Sequence, residues 1–306
     1  MQQQKLGIAL GGGGARGWAH IGVLKALDEI GIKPDIIAGT SIGAIAGGCY
    51  AANEIANLEE FAVTLTTRKI LGFLDFNLTG MSLITGKRLF NTLRQHLDEV
   101  RIEQMDRQFV AVATELGTGH EVWMDKGNLV DAIRASYALP GVFSPVKVNG
   151  RWLFDGAMVN PVPVSVCRAL GATVVIAVNL NSDIFGKGTV IPSHEAIDVA
   201  ASDDQETDLI ENPSESRLRR LRKQFLGDKN QTPGISRVML DAFHITQDRI
   251  ARARLAGDPP DLSIKPRLNG IGIFDFHRAE DMIELGVEAT LRAKDDLRHH
   301  LGTLAA

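Results

Sequence analysis

Within its first fifty residues the chain twice runs a short apolar segment into a glycine-bearing turn and then into a helical pattern. Residues 6–10 (LGIAL) read as a buried strand, and four glycines, residues 11–14, follow at once. A helical pattern spans about 16–30, with Ile21, Leu24 and Leu27 on one face and Gly31 as its stop. Residues 35–38 (DIIA) predict a second strand, and the small residues of 41–52 predict a helix lying close against a sheet. Strand, helix, strand, helix over so short a span is a βαβ unit, which requires parallel strands with helices on the sheet faces. The expected fold is therefore α/β: three α/β/α layers around a mostly parallel central sheet.

The alternation continues downstream. Helices are expected at 55–66, 87–98, 128–139 and 161–170, and strands at 108–116, 120–125, 151–154 and 174–178. The charge pattern then changes. Residues 203–215 carry six acids and no base, and residues 217–223 carry five bases and no acid. This divides the chain into a catalytic core at 5–181 and a charged insertion or flexible excursion at 182–235. A C-terminal α/β segment at 236–306 is expected to complete the same domain. It holds a helix at 236–256, a strand at 261–265 and one long polar helix at 278–300.

Composition narrows the function classes. With 44% apolar and 23% charged residues in 306, the chain is of ordinary globular type. It has no apolar run of the ~18 residues a membrane span needs, and its start, MQQQKLGIAL, lacks the parts of a secretory signal. The 33 basic and 37 acidic residues leave a formal charge of -4, so nothing favours a nucleic-acid partner. Cys49 and Cys167 stand far apart without a CxxC, which predicts two buried thiols rather than a disulfide or a zinc site. No metal-ligand cluster is visible and no cofactor is expected. A reducing, cytoplasmic location fits.

The first candidate for chemistry is Gly39-Thr40-Ser41-Ile42-Gly43, a G-x-S-x-G between a predicted strand and a predicted helix. So sharp a turn excludes bulk beside the nucleophile, hence Gly39 and Gly43. It places the Ser41 hydroxyl at a helix N-terminus, where the helix dipole favours negative charge.

The second is Gly12-Gly13-Gly14-Ala15-Arg16-Gly17, also between a strand and a helix. Its bare amides suit either an oxyanion hole or a dinucleotide pyrophosphate, because the run also spells G-x-G-x-x-G. A dinucleotide fold requires an acid at the end of the second strand. That place holds Gly39-Thr40-Ser41, while Asp35 stands at the strand's beginning. Both turns follow adjacent parallel strands and should share one sheet edge.

A base for Ser41 is not obvious among the eight histidines. His20 reads as packed or capping, His299 and His300 as a solvated tail, and His96, His120, His194, His244 and His277 lie in polar contexts. The better candidate is Asp155, in Phe154-Asp155-Gly156-Ala157, directly after a short strand and among Trp152, Leu153, Phe154, Met158 and Val159. A carboxylate desolvated there is a stronger base. Asp-Gly is also an ordinary turn signal.

Four segments together resemble the patatin-like phospholipase family, specifically its small bacterial, RssA-type branch. They are LGGGGARGWAHIGVL (10–24), GTSIG (39–43), ASYALPGVFSPV (135–146) and DGAMVNPVP (155–163). AGDPPD (256–261) and FDFHRAEDMIELG (274–286) are similar to the same branch. The resemblance implies a Ser–Asp dyad without histidine, with Ser41 as nucleophile and Asp155 as its base. It implies an oxyanion loop of Gly12, Gly13 and Gly14 with Arg16 and Gly17. Many members have Asp-Gly-Gly where this chain has Asp155-Gly156-Ala157, and an alanine disfavours a positive φ there.

The expected function is a serine acyl hydrolase that cleaves fatty-acyl esters of phospholipids or lysophospholipids through a covalent acyl-enzyme. A regulatory or scaffolding protein on a hydrolase fold is the alternative, and a dinucleotide-binding oxidoreductase is the lesser one. Within 216–225, Leu218, Leu221 and Phe225 share a helical face among the five bases, which suits peripheral contact with an anionic membrane. A solvated helix paired with the acidic stretch 203–215 explains the same residues. Residues 81–84, between Gly80 and Gly86, are expected to form a mobile loop near a lipid entrance.

Overall fold

The computed structural model describes residues 5–66, 87–183 and 235–302. The expectations for 81–84, His194 and the charged stretches within 203–225 lie outside the described residues. The chain divides into two compact units, Met1–Ile184 with Gln247–Ala306, and Phe185–Thr246. Of the second unit the described part, residues 235–246, is helical.

Among the described residues the first unit is built on an eight-stranded sheet. Its strands are β1 (Leu6–Leu10), β2 (Ile36–Thr40), β3 (Gln108–Glu115), β4 (Glu121–Met124), β5 (Val146–Val148), β6 (Arg151–Asp155), β7 (Val174–Val178) and β8 (Leu262–Ile264). The helices are α1 (Ala19–Glu29), α2 (Ile42–Ala51), α3 (Ile55–Val63), α4 (Lys87–Leu97), α5 (Leu129–Ser136), α6 (Val164–Ala169), α7 (Ile235–Gly257), α8 (Ala279–Arg292) and α9 (Lys294–Gly302). Strand β1 lies between β2 and β7, and the pairs β1–β2, β1–β7, β2–β3 and β7–β8 are parallel. The pairs β3–β4, β3–β6 and β5–β6 are antiparallel. The fold is α/β with a mostly parallel sheet, as the βαβ reading expects.

Alternation along the strands makes the three layers. Ile8, Leu10, Ile37, Phe109, Ala111, Ile176 and Val178 pack on one side with residues of α1, α2 and α8. Ala9, Ile36, Ala38, Val110, Val112, Val175 and Ala177 pack on the other with α6 and Ala251 of α7. Cys49 and Cys167 are free and buried, one on each side.

Two features of the packing position the site. Helices α1 and α8 touch backbone to backbone at two glycines. A methyl group on Gly22 would stand 1.9 Å from the Ile283 carbonyl oxygen, and one on Gly286 would stand 2.1 Å from that of Ala19. No side chain fits there.

The other is the meeting of β2 and β6 along one side of β3. Strand β2 pairs with residues up to Val112, β6 pairs from Ala113 onward, and β4 spans both stretches. A strand has only two sides, so β4 must occupy one and β2 and β6 must share the other, end to end. Thr40, the last residue of β2, is opposite Val112, and Asp155, the last of β6, is opposite Ala113. The two strand ends are thereby aimed at each other.

Three local expectations change. The first helix opens with a 3-10 turn, Gly14–Trp18, before α1. Strand β5 is absent from the sequence reading, although Asn149 and Gly150, at φ 49 and 83, are a hairpin turn signal. The single helix expected at 278–300 is two, α8 and α9, hinged at Ala293. Every residue there tolerates helix, so propensity does not mark the hinge. Packing requires it, because the turn returns Leu297 to the core, where it is buried.

Candidate active site

Ser41 caps the junction of β2 and α2 with φ 57 and ψ -123. A non-glycine residue at positive φ is strained, and the surroundings hold it there. A methyl group on Gly43 would lie 2.1 Å from the Leu10 carbonyl oxygen, and one on Gly39 would lie 2.4 Å from that of Gly43. The elbow therefore closes only with glycine at both positions. The Ser41 amide donates to Ser136 Oγ at 2.9 Å, and that hydroxyl donates to the Val112 carbonyl at 2.6 Å. Ser136, at the end of α5, thus ties the elbow to β3. The Thr40 hydroxyl adds a second tie, to the Asn160 carbonyl at 2.8 Å.

The Ser41 hydroxyl donates to Asp155 Oδ2 at 2.6 Å. Asp155 Oδ1 accepts from the Ala157 amide at 2.8 Å. The Asp155 backbone is held by the Ala138 carbonyl and the Thr114 hydroxyl. Only 1% of Asp155 is exposed. Burial pushes its carboxyl up to about 7, against the opposing pull of the Ser41 and Ala157 hydrogen bonds. Ala157 keeps a negative φ, so the departure from Asp-Gly-Gly strains nothing and its amide still caps the carboxylate.

The glycine loop lies beside this pair, at the same sheet edge, because Leu10 is in register with Gly39. Gly12 sits against Ser41 and Ala157, and Gly17 against Ile42. The amides of Gly11, Gly12 and Ala15 donate to the carbonyls of Val178, Pro161 and Ile273 at 3.1, 3.0 and 2.8 Å. Among the described residues the amides of Gly13 and Gly14 have no protein acceptor.

The Arg16 side chain is buried and turned into the fold. Its Nε donates to the Ile271 carbonyl at 2.8 Å and its Nη1 to Asn181 Oδ1 at 3.2 Å. Desolvation lowers its pKa, opposed by the charges of Asp183 and Asp275. Asp35 accepts from the Leu6 amide at 2.8 Å, at the opposite sheet edge from Ser41, so it is out of reach of a ribose held by the glycine loop.

His20 is fully buried with its Nε2 at 2.7 Å from the Gly11 carbonyl. A carbonyl only accepts, so the proton is on Nε2. Burial pushes this imidazole down to about 4, and it stays neutral. It holds the loop through that bond. Among the described residues no histidine hydrogen-bonds Ser41 or Asp155. Sequence reasoning missed the parts played by Ser136 and Asn181. Ser136 lies in the quoted ASYALPGVFSPV segment, and Asn181 in the polar turn after a buried strand, which is the only signal either offers.

Architecture and geometry define an α/β protein with a serine elbow set against a buried carboxylate at the carboxyl edge of its sheet. The patatin-like phospholipase family model matches residues 8–168. The chain belongs to that family, and membership supports lipid acyl hydrolase activity in general. An uncharacterized NTE family protein of Mycobacterium tuberculosis is 34% identical over 92% of this chain and 89% of its own length. A second from that species is 29% identical over 96% of this chain and 48% of its own. Human patatin-like phospholipase domain-containing protein 6 is 33% identical over 58% of this chain and 13% of its own. Among solved structures, VipD from Legionella pneumophila aligns over 96% of this chain and 67% of that one, with 13% identity and a TM-score of 0.44. The RssA-type branch rests on the motif resemblance alone. No helix among the described residues is long and apolar enough to cross a membrane.

Proposed function

We propose that the chain hydrolyses fatty-acyl esters of phospholipids or lysophospholipids through a Ser41–Asp155 dyad and a covalent acyl-enzyme. The observation that carries this reading is the 2.6 Å hydrogen bond between the two buried side chains. Asp155 removes the Ser41 proton as Oγ forms a bond to the ester carbonyl carbon. The carbonyl oxygen becomes an oxyanion, to which the amides of Gly13 and Gly14, without a protein acceptor among the described residues, are free to donate. Collapse expels the alcohol, which takes the proton from Asp155. Water, deprotonated by the same carboxylate, then releases the fatty acid and restores Ser41.

The Gly12 amide, already given to Pro161, is not a donor in this scheme. Arg16 serves it from behind rather than by contact with the substrate. A carboxylate is a weaker base than imidazole, which favours esters over amides. His20, neutral and bonded to the Gly11 carbonyl rather than to Ser41, supports a dyad without histidine.

The test is a fluorophosphonate probe followed by peptide mass spectrometry, with hydrolysis of a short-chain nitrophenyl ester alongside. The adduct is expected on Ser41. Ser41→Ala and Asp155→Asn should each lose about a thousandfold or more in kcat, as removal of a nucleophile or its partner does elsewhere. Near-normal turnover in either variant refutes the assignment.

A further inference from the structure

Outside the reacting pair, Asn181 contacts the glycine loop at two points, Gly12 and Arg16. It follows β7 by three residues. Its Nδ2 donates to the Gly12 carbonyl at 3.3 Å, and its Oδ1 accepts from Arg16 Nη1 at 3.2 Å. Its own amide donates to Asn179 Oδ1 at 3.0 Å. These partners leave one orientation for the carboxamide. Arg16 can only donate and the carbonyl can only accept, so the oxygen must face the guanidinium and the NH2 must face Gly12. Arg16 is itself fixed by its Nε bond to the Ile271 carbonyl.

The consequence lies in one peptide plane. The Gly12 carbonyl and the Gly13 N–H belong to the same planar, trans peptide, so they point in opposite directions. Whatever holds the carbonyl aims the amide. Glycine on both sides of that plane leaves the backbone free to rotate it. The preceding plane is pinned twice, by His20 on the Gly11 carbonyl and by Pro161 on the Gly12 amide. The Gly12–Gly13 plane has Asn181 as its hydrogen-bond partner among the described residues, and its N–H is left without a protein acceptor.

We propose that Asn181, anchored by Arg16, is a positioning residue for the oxyanion hole: it holds the Gly12 carbonyl back so that the Gly13 amide stays aimed at the developing charge. The proposal rests on the acyl-hydrolase reading above. It reassigns Arg16 from an oxyanion contact to the anchor of the group that orients one. Arg16 also suits the anchoring part because two bonds from a planar guanidinium fix direction as well as distance.

The experiment compares wild type with Asn181→Asp, Asn181→Leu and Arg16→Lys. The readouts are kcat and KM on a soluble nitrophenyl ester, the inhibition constant of a trifluoromethyl ketone, and thermal unfolding. A trifluoromethyl ketone forms a tetrahedral adduct with a serine and needs the oxyanion donors, whereas ground-state ester binding does not. Asn181→Asp keeps the acceptor for Arg16 and loses the donor to Gly12. It is expected to lower kcat about tenfold to a hundredfold, up to the loss of one oxyanion donor. Affinity for the ketone should fall by the same factor, with KM within about twofold. Arg16→Lys should show the same pattern more weakly.

Wild-type kcat and ketone affinity in Asn181→Asp overturn the proposal, as does a fall in activity that appears in KM alone. If Asn181→Leu or Asn181→Asp fails to fold, Arg16→Lys decides by the same two numbers. Failure of the underlying reading looks different: wild type itself would leave Ser41 unlabelled by the fluorophosphonate, whatever the variants do.

Discussion

At the scale of single residues, the proposed dyad makes Asp155 the group expected to set how activity and stability depend on pH. Burial pushes its carboxyl up to about 7, and in the proposed dyad only the carboxylate accepts the serine proton. Turnover of a neutral ester should therefore rise through about pH 7 and be about a hundredfold lower at pH 5 than at pH 8. A pH–rate profile checks this, and a flat profile between 5 and 8 removes Asp155 as the base. Stability runs the other way. The folded-state value lies above the ~3.9 of a free aspartate, so the group's contribution is full below pH 4 and is lost as pH rises through 7. Asp155→Asn should then be more stable than wild type at pH 8, by on the order of 3 kcal/mol, and no more stable at pH 4. Thermal unfolding at the two pH values measures it. His20 has the opposite sign. Its folded value of about 4 lies below that of a free histidine, so stability is lost as pH falls from about 6.5 towards 4.

At the scale of elements, the contact of α1 with α8 shows how packing reverses propensity. In an exposed helix Gly→Ala gains about 1 kcal/mol. At Gly22 the new methyl would meet a backbone oxygen at 1.9 Å, and neither helix can give way without moving the glycine loop that precedes α1. Gly22→Ala is expected to destabilise by about 1–3 kcal/mol, read from the urea midpoint, and Gly22→Val by more. A stabilised Gly22→Ala would mean the helices are not in contact.

The serine elbow was legible at this scale because strand, glycine, serine, glycine and helix are all local. So was the parallel sheet, from apolar runs alternating with 3.6-residue periods. Strand β5 and the break at Ala293 were not. Three residues carry too little pattern to register as a strand, and a hinge among good helix formers costs nothing that local propensity records.

At the scale of the whole molecule, residues far apart in sequence assemble the site. The glycine loop is tied by carbonyls of Pro161, Val178, Ile271 and Ile273, directly or through Arg16. Strand β8 borders β7, and Met282 of α8 is fully buried in the core beneath α1. A chain ended after Asp183 lacks β8, α8 and both isoleucine carbonyls. It should show no cooperative thermal transition by circular dichroism and no reaction of Ser41 with fluorophosphonate. A sharp transition would show that residues 5–183 are sufficient as a folding unit.

The sequence by itself determined the chemistry-bearing residue types and the local shapes that present them: a serine on a turn only glycine permits, a run of bare amides, an aspartate after an apolar strand. Those are properties of a few neighbouring residues, and local sterics and solvation decide them. Only the tertiary structure decided that Ser41 and Asp155 meet, because β2 and β6 share one side of β3 end to end. It also decided which amides of the glycine loop stay free. That depends on carbonyls and an asparagine more than 140 residues away, each competing for the same donors and acceptors.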